Sequence, residues 1–307
     1  MADARPRRLP GRALRRLLVV GQAHRREEAE QVTTTRDPFV AAVSRARPLR
    51  ALYAGNARSV MQRGWSATRS TNWLVIVSGF FEPIFYLLSL GVGFGGLVGT
   101  VTTAGGEQVP YAAFIAPALL ATTAMNGAVY DSTWNVFFKM HFAKLYEGML
   151  STSLGPLDVA LGEILLALLR GALYAAGFMV VMQALNLNLS WWALLALPAV
   201  LLIAFGFASF GMGVTSYMKT FQQMDWINFI LLPMFLLSAT FYPITVYPEW
   251  IQKIIMALPL WHGVELVRGL TTGNVDPGML WHVLYFAVMI ALGLILTTRR
   301  LRALFLD

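Results

Sequence analysis

Three groups of residues in this sequence are of a type and spacing that could do chemistry. The first is Glu82, inside Phe80-Phe81-Glu82-Pro83-Ile84-Phe85-Tyr86-Leu87-Leu88. A carboxyl in such a run costs roughly 2.5–3.5 kcal/mol to place in a bilayer, so it marks a functional position or a bond to backbone freed by Pro83. The second group runs from Asn126 and Asp131 through Phe142-Ala143-Lys144-Leu145-Tyr146-Glu147-Gly148-Met149-Leu150 to Leu154, Gly155-Pro156 and Glu163. Bulky apolar residues beside charges over 142–151 read as a short amphipathic helix that could dock on a soluble partner or rest on a membrane. The third group is Pro243, Pro248, Pro259, His262 and Arg268. Prolines start helices and break their interiors, so 248–257 and 260–270 read as two short helices in a hairpin.

Several chemistries are excluded. There are no cysteines, hence no disulfide, thiolate metal site or Cys nucleophile. No Gly-Lys dipeptide occurs, so the chain has no Walker A loop. Gly91, Gly93 and Gly96 match G-x-G-x-x-G only formally, since no strand precedes them. His24, His141, His262 and His282 are far apart in sequence and no D-x-x-D pair occurs, which argues against a metal-dependent membrane enzyme. No internal repeat of the secondary-transporter kind is visible. Gly91-x-x-x-Gly95 and Ser209-x-x-x-Gly213 could let helices pack closely.

The elements that must position these residues are membrane spans. Of 307 residues, 57% are hydrophobic and 13% charged; soluble domains carry about 25% charged residues. A spanning helix needs about 20 mostly apolar residues. Six stretches qualify: Leu74–Val98, Tyr111–Tyr130, Val159–Gln183, Trp192–Ser216, Trp226–Ile244 and Met279–Thr298. A β-barrel would show short alternating segments instead. The net charge of +8 is not a nucleic-acid signal, because residues 1–73 hold 15 Arg against 5 acids while residues 74–307 are nearly neutral. Lys139, Lys144, Lys219 and Arg299, Arg300 and Arg302 fall on one side of the spans, whereas links 99–110 and 184–191 have no basic residue. Both termini are therefore expected to be cytoplasmic. Residues 1–48 read as an Arg-rich mobile tail and 49–72 as a basic amphipathic helix on an anionic inner leaflet, with 73–307 forming the six-helix body. The expected fold is thus an all-α polytopic membrane protein with an outer hairpin, between the last two spans, that dips into the outer leaflet.

In this order and topology, the Glu82-Pro83 stretch with its glycines, the 142–151 helix and the Pro243…Pro248…Pro259…His262…Arg268 hairpin resemble the permease subunit of an ABC-2 type exporter. The resemblance covers residues 49–305 and is greatest to the branch of nodulation lipooligosaccharide and daunorubicin-resistance permeases. It implies a dimer of two permease chains, identical or sibling, in a bacterial inner membrane above separate ABC ATPase subunits. This chain would bind no cofactor, with ATP and magnesium held by the ATPase, and would contact lipid and no nucleic acid. Phe142, Lys144, Tyr146, Glu147, Met149, Leu150 and Leu154 would couple to the ATPase. Glu82, Asn126, Asp131 and Glu163 would line or gate the pathway, although Asp131 stands where the family is expected to carry Glu. The hairpin residues would shape the re-entrant turn. The cargo would be amphipathic or lipid-linked: a glycolipid, lipid or hydrophobic drug, moved outward. The rival readings are a membrane-embedded lipid or glycan enzyme, which would need clustered acids or histidines, and a scaffold, which would not need the docking helix.

Overall fold

Helices account for most of the structure; Pro110, Pro156, Pro248 and Pro259 stand at helix starts, whereas Pro117 and Pro233 lie inside helices. The computed structural model describes residues 55–69, 81, 83–103 and 106–305, all within the compact unit Leu52–Asp307. The expected tail 1–48, residues 49–54 and 70–72 of the expected interfacial helix, residues 74–80 of the Leu74–Val98 span and Glu82 lie outside the described residues. The chain runs through α1 (Ala57–Arg69) and α2 (Pro83–Val98) into α3 (Tyr111–His141), then α4 (Leu145–Leu150) and α5 (Pro156–Ala184). It continues through α6 (Trp191–Thr215), α7 (Asp225–Leu237), α8 (Glu249–Ala257), α9 (Pro259–Thr272) and α10 (Met279–Phe305). Between α2 and α3, β1 (Thr100–Thr102) and β2 (Gln108–Pro110) form an antiparallel pair with Val101 opposite Val109.

Among the described residues, four helices are long and apolar enough to cross a membrane: α3, α5, α6 and α10. The chain is a membrane-integral, mainly helical protein. The stretch expected as the fifth span is shorter as a helix. α7 covers 13 residues, about 20 Å at 1.5 Å per residue. Its end is fixed by side chains: the Ser238 hydroxyl donates to the Met234 carbonyl at 2.5 Å and Thr240 to that of Phe235 at 3.0 Å. Ala239 takes a left-handed φ of +53°. An apolar count over 226–244 sees length but not this stop.

α3 is the central element. Its most apolar stretch is 83% buried within the chain, whereas that of α10 is 11% buried. α3 packs against α2, α5, α6 and α9. Close approaches are set by small residues. A Cβ on Gly162 would meet Val60 Cβ at 2.4 Å, so α1 lies directly on α5. A Cβ on Gly293 would meet the Phe210 amide nitrogen at 2.5 Å, so α10 touches the backbone of α6. Ser209 and Gly213 face that contact, with Thr297 donating to the Gly293 carbonyl at 2.8 Å.

The start of α5 shows how the ends are built. Pro156 occupies the first turn, where its missing N–H costs nothing. Asp158 is fully buried and accepts from the amides of Gly155 at 2.9 Å and Asn56 at 2.8 Å. One carboxylate thus caps α5 and fixes the entry to α1.

Candidate functional site

A hollow of about 760 Å3 opens among α2, α3, α5 and α7. Its wall mixes amide, hydroxyl and aromatic groups with apolar ones. Asn126, Thr122 and Thr123 come from α3, Tyr174 and Arg170 from α5, Asn228 from α7, and Tyr86 and Pro83 from α2. The threonines satisfy their donors within their own helix: Thr122 gives its proton to the Ala118 carbonyl at 2.8 Å and Thr123 to that of Leu119 at 2.7 Å. Their oxygens keep lone pairs that can accept from a guest.

Asp131 stands on the wall of this hollow. Its Oδ1 accepts from Arg170 Nη1 at 2.6 Å and from Asn135 Nδ2 at 2.6 Å. Eight residues further along α3, Lys139 Nζ donates to Glu163 Oε2 at 2.5 Å. α3 and α5 thus carry two ion pairs of opposite sense, Asp131–Arg170 and Lys139–Glu163. The stretch Asp131–Asn135 is a π-turn, a local irregularity frequent at functional positions. Glu163 does not line the hollow. It lies about two turns of α5 from Arg170, roughly 10 Å away along the axis.

After α3 the chain turns through Lys144 in a left-handed conformation, φ +48°, into α4. Phe138 and Phe142 stack with ring centroids 5.3 Å apart, and both are exposed. Lys144, Glu147 and Gly148 are exposed beside them. Tyr146 is fully buried, and Met149 and Leu150 also turn inward, while Leu154 is half-buried. These three buried residues hold α4 to the bundle, because the six-residue helix must bury one face to be stable. The exposed face is therefore narrower than the sequence pattern suggests. Burial first, and the nearby Glu163 carboxylate second, push the Tyr146 hydroxyl well above its ordinary range. That hydroxyl has no hydrogen-bond partner among the described residues.

In the hairpin, Pro243 precedes the short turn Ile244–Val246, Pro248 precedes α8 and Pro259 opens α9. Arg268 is buried and fully employed. Nη1 donates to Glu265 at 2.7 Å, Nη2 to the Ala239 carbonyl at 2.8 Å and Nε to the Phe114 carbonyl at 3.3 Å. Its guanidinium also sits 3.9 Å over the Phe114 ring. One side chain therefore joins α9 to α3 and to the end of α7. His262 is buried, with its Nδ1 2.7 Å from Nδ1 of His282 in α10.

The structure brings Asn126 and Asp131 together in one hollow, and leaves Phe142, Lys144 and Glu147 exposed. Arg170, Tyr174, Asn228 and His282 were not expected as site residues. Arg170 carried a usable signal, because a cation inside an apolar run needs a partner. Asn228 and His282 carried none, since only the fold places them beside α3 and α9. No cluster of three or more His, Asp or Glu that could hold a metal occurs among the described residues.

A family model described as ABC-2 type transporter matches residues 56–271. The chain is similar to Nodulation protein J of Rhizobium leguminosarum bv. viciae, 30% identical over 249 residues, which is 80% of this chain and 94% of the relative. It is also similar to Nodulation protein J of Rhizobium leguminosarum bv. trifolii, at 32% over 80% of this chain and 92% of the relative. A third similar protein is Nodulation protein J of Sinorhizobium fredii, at 32% over 75% of this chain and 88% of the relative.

Proposed function

Because this chain belongs to the ABC-2 type transporter family, and is thus a membrane transport subunit rather than an enzyme, we propose that it is the permease half of an ATP-driven exporter. Two permease chains, identical or sibling, assemble above a pair of ABC ATPase subunits in the bacterial inner membrane. ATP and magnesium belong to those partners. The cargo is amphipathic or lipid-linked, such as a glycolipid, a lipid or a hydrophobic drug. It enters the hollow walled by Asn126, Thr122 and Tyr174 with its polar part, while its apolar part stays among α2 and α7. The observation that carries this reading is that hollow: a half-open space of about 760 Å3 on an apolar helix bundle, with amide, hydroxyl and charged groups set into its mainly apolar wall. Polar groups are costly there unless they are bonded or meet a guest.

The proposed topology has six spans, with α2 completing the first and α7 with residues 238–244 completing the fifth. Both termini are cytoplasmic, α1 lies on the inner leaflet, and α8 and α9 dip into the outer leaflet. Exposed Trp191, Trp250 and Trp281 stand at or near the starts of α6, α8 and α10, and under this topology they meet the outer membrane–water boundary, where indoles gather. The opposite end carries Phe142, Lys144 and Glu147, which contact the ATPase. Nucleotide binding works as a differential affinity: ATP favours the state in which the ATPases close, and α4 passes that preference to α3 and α5.

The test is co-purification. The tagged chain, co-expressed with the ATPase encoded beside it, is extracted in mild detergent. Recovery of a stoichiometric complex, with ATP-dependent movement of a fluorescent lipid in proteoliposomes, is the expected result. A chain that captures no ATPase and moves no lipid would overturn the exporter reading.

A further inference from the structure

The two histidines that the fold brings together are joined in a way that fixes their protons. His262 on α9 and His282 on α10 approach Nδ1 to Nδ1 at 2.7 Å. Two neutral rings can share such a contact only if one donates and the other accepts. One ring therefore donates its Nδ1–H and the other accepts at Nδ1, which leaves the Nε2 of each ring outside the contact.

The surroundings bias this pair toward holding charge on one ring only. Tyr285 stacks on His262 at 4.0 Å between ring centroids, and Trp261 stands edge-on to both imidazoles at 5.0 and 5.3 Å. From α9 itself the charged neighbours are Glu265 and Arg268, already paired to each other at 2.7 Å. The loop between α9 and α10 adds the Asp276 carboxylate. α8 contributes the Met256 carbonyl and the Ala257 carbonyl, which accepts from the Tyr285 hydroxyl at 3.1 Å; its Glu249 and Lys253 lie one to two turns further back. α6, packed against both α9 and α10, has no ionisable side chain between Trp191 and Thr215. Burial first, and the neighbouring His282 second, push His262 down to about 4.

We propose that His262 and His282 are a proton-binding site that latches the hairpin to the last helix. The first added proton goes to the bare Nε2 of the donor ring and leaves the Nδ1–H···Nδ1 bond in place with a charged donor. Such bonds are roughly twice as strong as neutral ones. The second proton can go only to the accepting Nδ1 of the other ring. It removes the acceptor, sets two imidazolium rings against each other and opens the latch. The pair thus fastens α9 to α10 as the first proton binds and releases it as the second does. Under the topology proposed above the sensed side is the outer one. That clause rests on the exporter reading, whereas the latch itself does not.

The experiment is a titration of the full chain in lipid nanodiscs with 15N-labelled histidine, signals being assigned by His24→Gln and His141→Gln. Wild-type His262 and His282 are expected to protonate in two steps more than one pH unit apart, a greater than tenfold difference in proton affinity. In the same range, hydrogen-exchange protection across 259–272, corrected for intrinsic rates, should rise through the first step and fall through the second. His282→Asn should move the His262 step by more than half a unit and flatten the protection profile. If the rings titrate independently, or protection ignores both steps, the proposal fails. Should His282→Asn not fold, the two-step shape in the wild-type chain decides alone. None of these readouts involves the ATPase or a cargo, so failure here leaves the exporter reading standing.

Discussion

Arg268 Nη2 donates to the carbonyl of Ala239 at 2.8 Å, and Ala239 is held at φ +53°. A guanidinium in the hairpin thus secures the left-handed residue at which the helix α7 has just ended. The bond spans 29 residues of sequence, and the same side chain reaches Glu265 and the Phe114 carbonyl. Removing it orphans two carbonyls and a carboxylate at once.

Arg268→Ala is therefore expected to destabilise the chain by about 3–5 kcal/mol, the range for breaking a buried charged pair. Arg268→Lys should recover little, because one ammonium cannot reproduce the planar fork that serves three directions. Thermal unfolding in detergent checks both. A melting point for Arg268→Lys within a degree of wild type would contradict the account.

The crossed ion pairs of α3 and α5 make a sharper test. Glu163→Lys and Lys139→Glu should each destabilise, and the double exchange should regain much of the loss, with a coupling of about 0.5–3 kcal/mol. Lys139 and Glu163 lie outside the hollow. The double exchange should therefore also restore lipid movement, which the proteoliposome assay measures.

Glycines separate contact from mere presence. Gly293→Ala drives a Cβ to within 2.5 Å of the α6 backbone and should cost about 1–3 kcal/mol, as overpacking does. Gly171→Ala, with nothing within 4 Å of its Cβ, should be neutral or stabilise by up to about 1 kcal/mol, the helix-propensity difference. Paired melting curves report the sign of each.

The α4 residues should divide by exposure. Phe142→Ala, Lys144→Asn and Glu147→Ala together are expected to weaken ATPase co-purification at least tenfold, an effect of about 1.4 kcal/mol, with an unchanged melting point. Asn is chosen at 144 because it tolerates the left-handed backbone. Tyr146→Ala should instead lower the melting point, at a cost of about 3–5 kcal/mol for a buried aromatic. Tyr146→Phe should be harmless, since the lost hydroxyl has no partner among the described residues.

What could be read in the sequence follows from what the residues encode locally. Apolar length announced α3, α5, α6 and α10, and Pro248 and Pro259 announced the two hairpin helices, because both signals act within one or two turns. The end of α7 was hidden, since it depends on Ser238, Thr240 and a guanidinium 29 residues away. Asp131 stood out as a charge after an apolar run. Its partner Arg170 sits 39 residues on, in a different helix. Tyr146 looked like a contact residue because amphipathic spacing names two faces without saying which is inward.

The contact of Gly293 with the backbone of Ser209 and Phe210 also bears on how the chain is made. Helices leave the ribosome in sequence order, so α6 enters the bilayer long before α10 exists. Until then its strip of small residues is an open groove, available to any other helix that can approach as closely. α10 is synthesised after the other described helices and has little of its surface covered by the rest of the chain, yet it is the helix whose Gly293 closes that groove. A nascent chain halted before Met279 would carry its earlier spans with this strip still uncovered. The cell's membrane quality control could recognise the difference at this one strip.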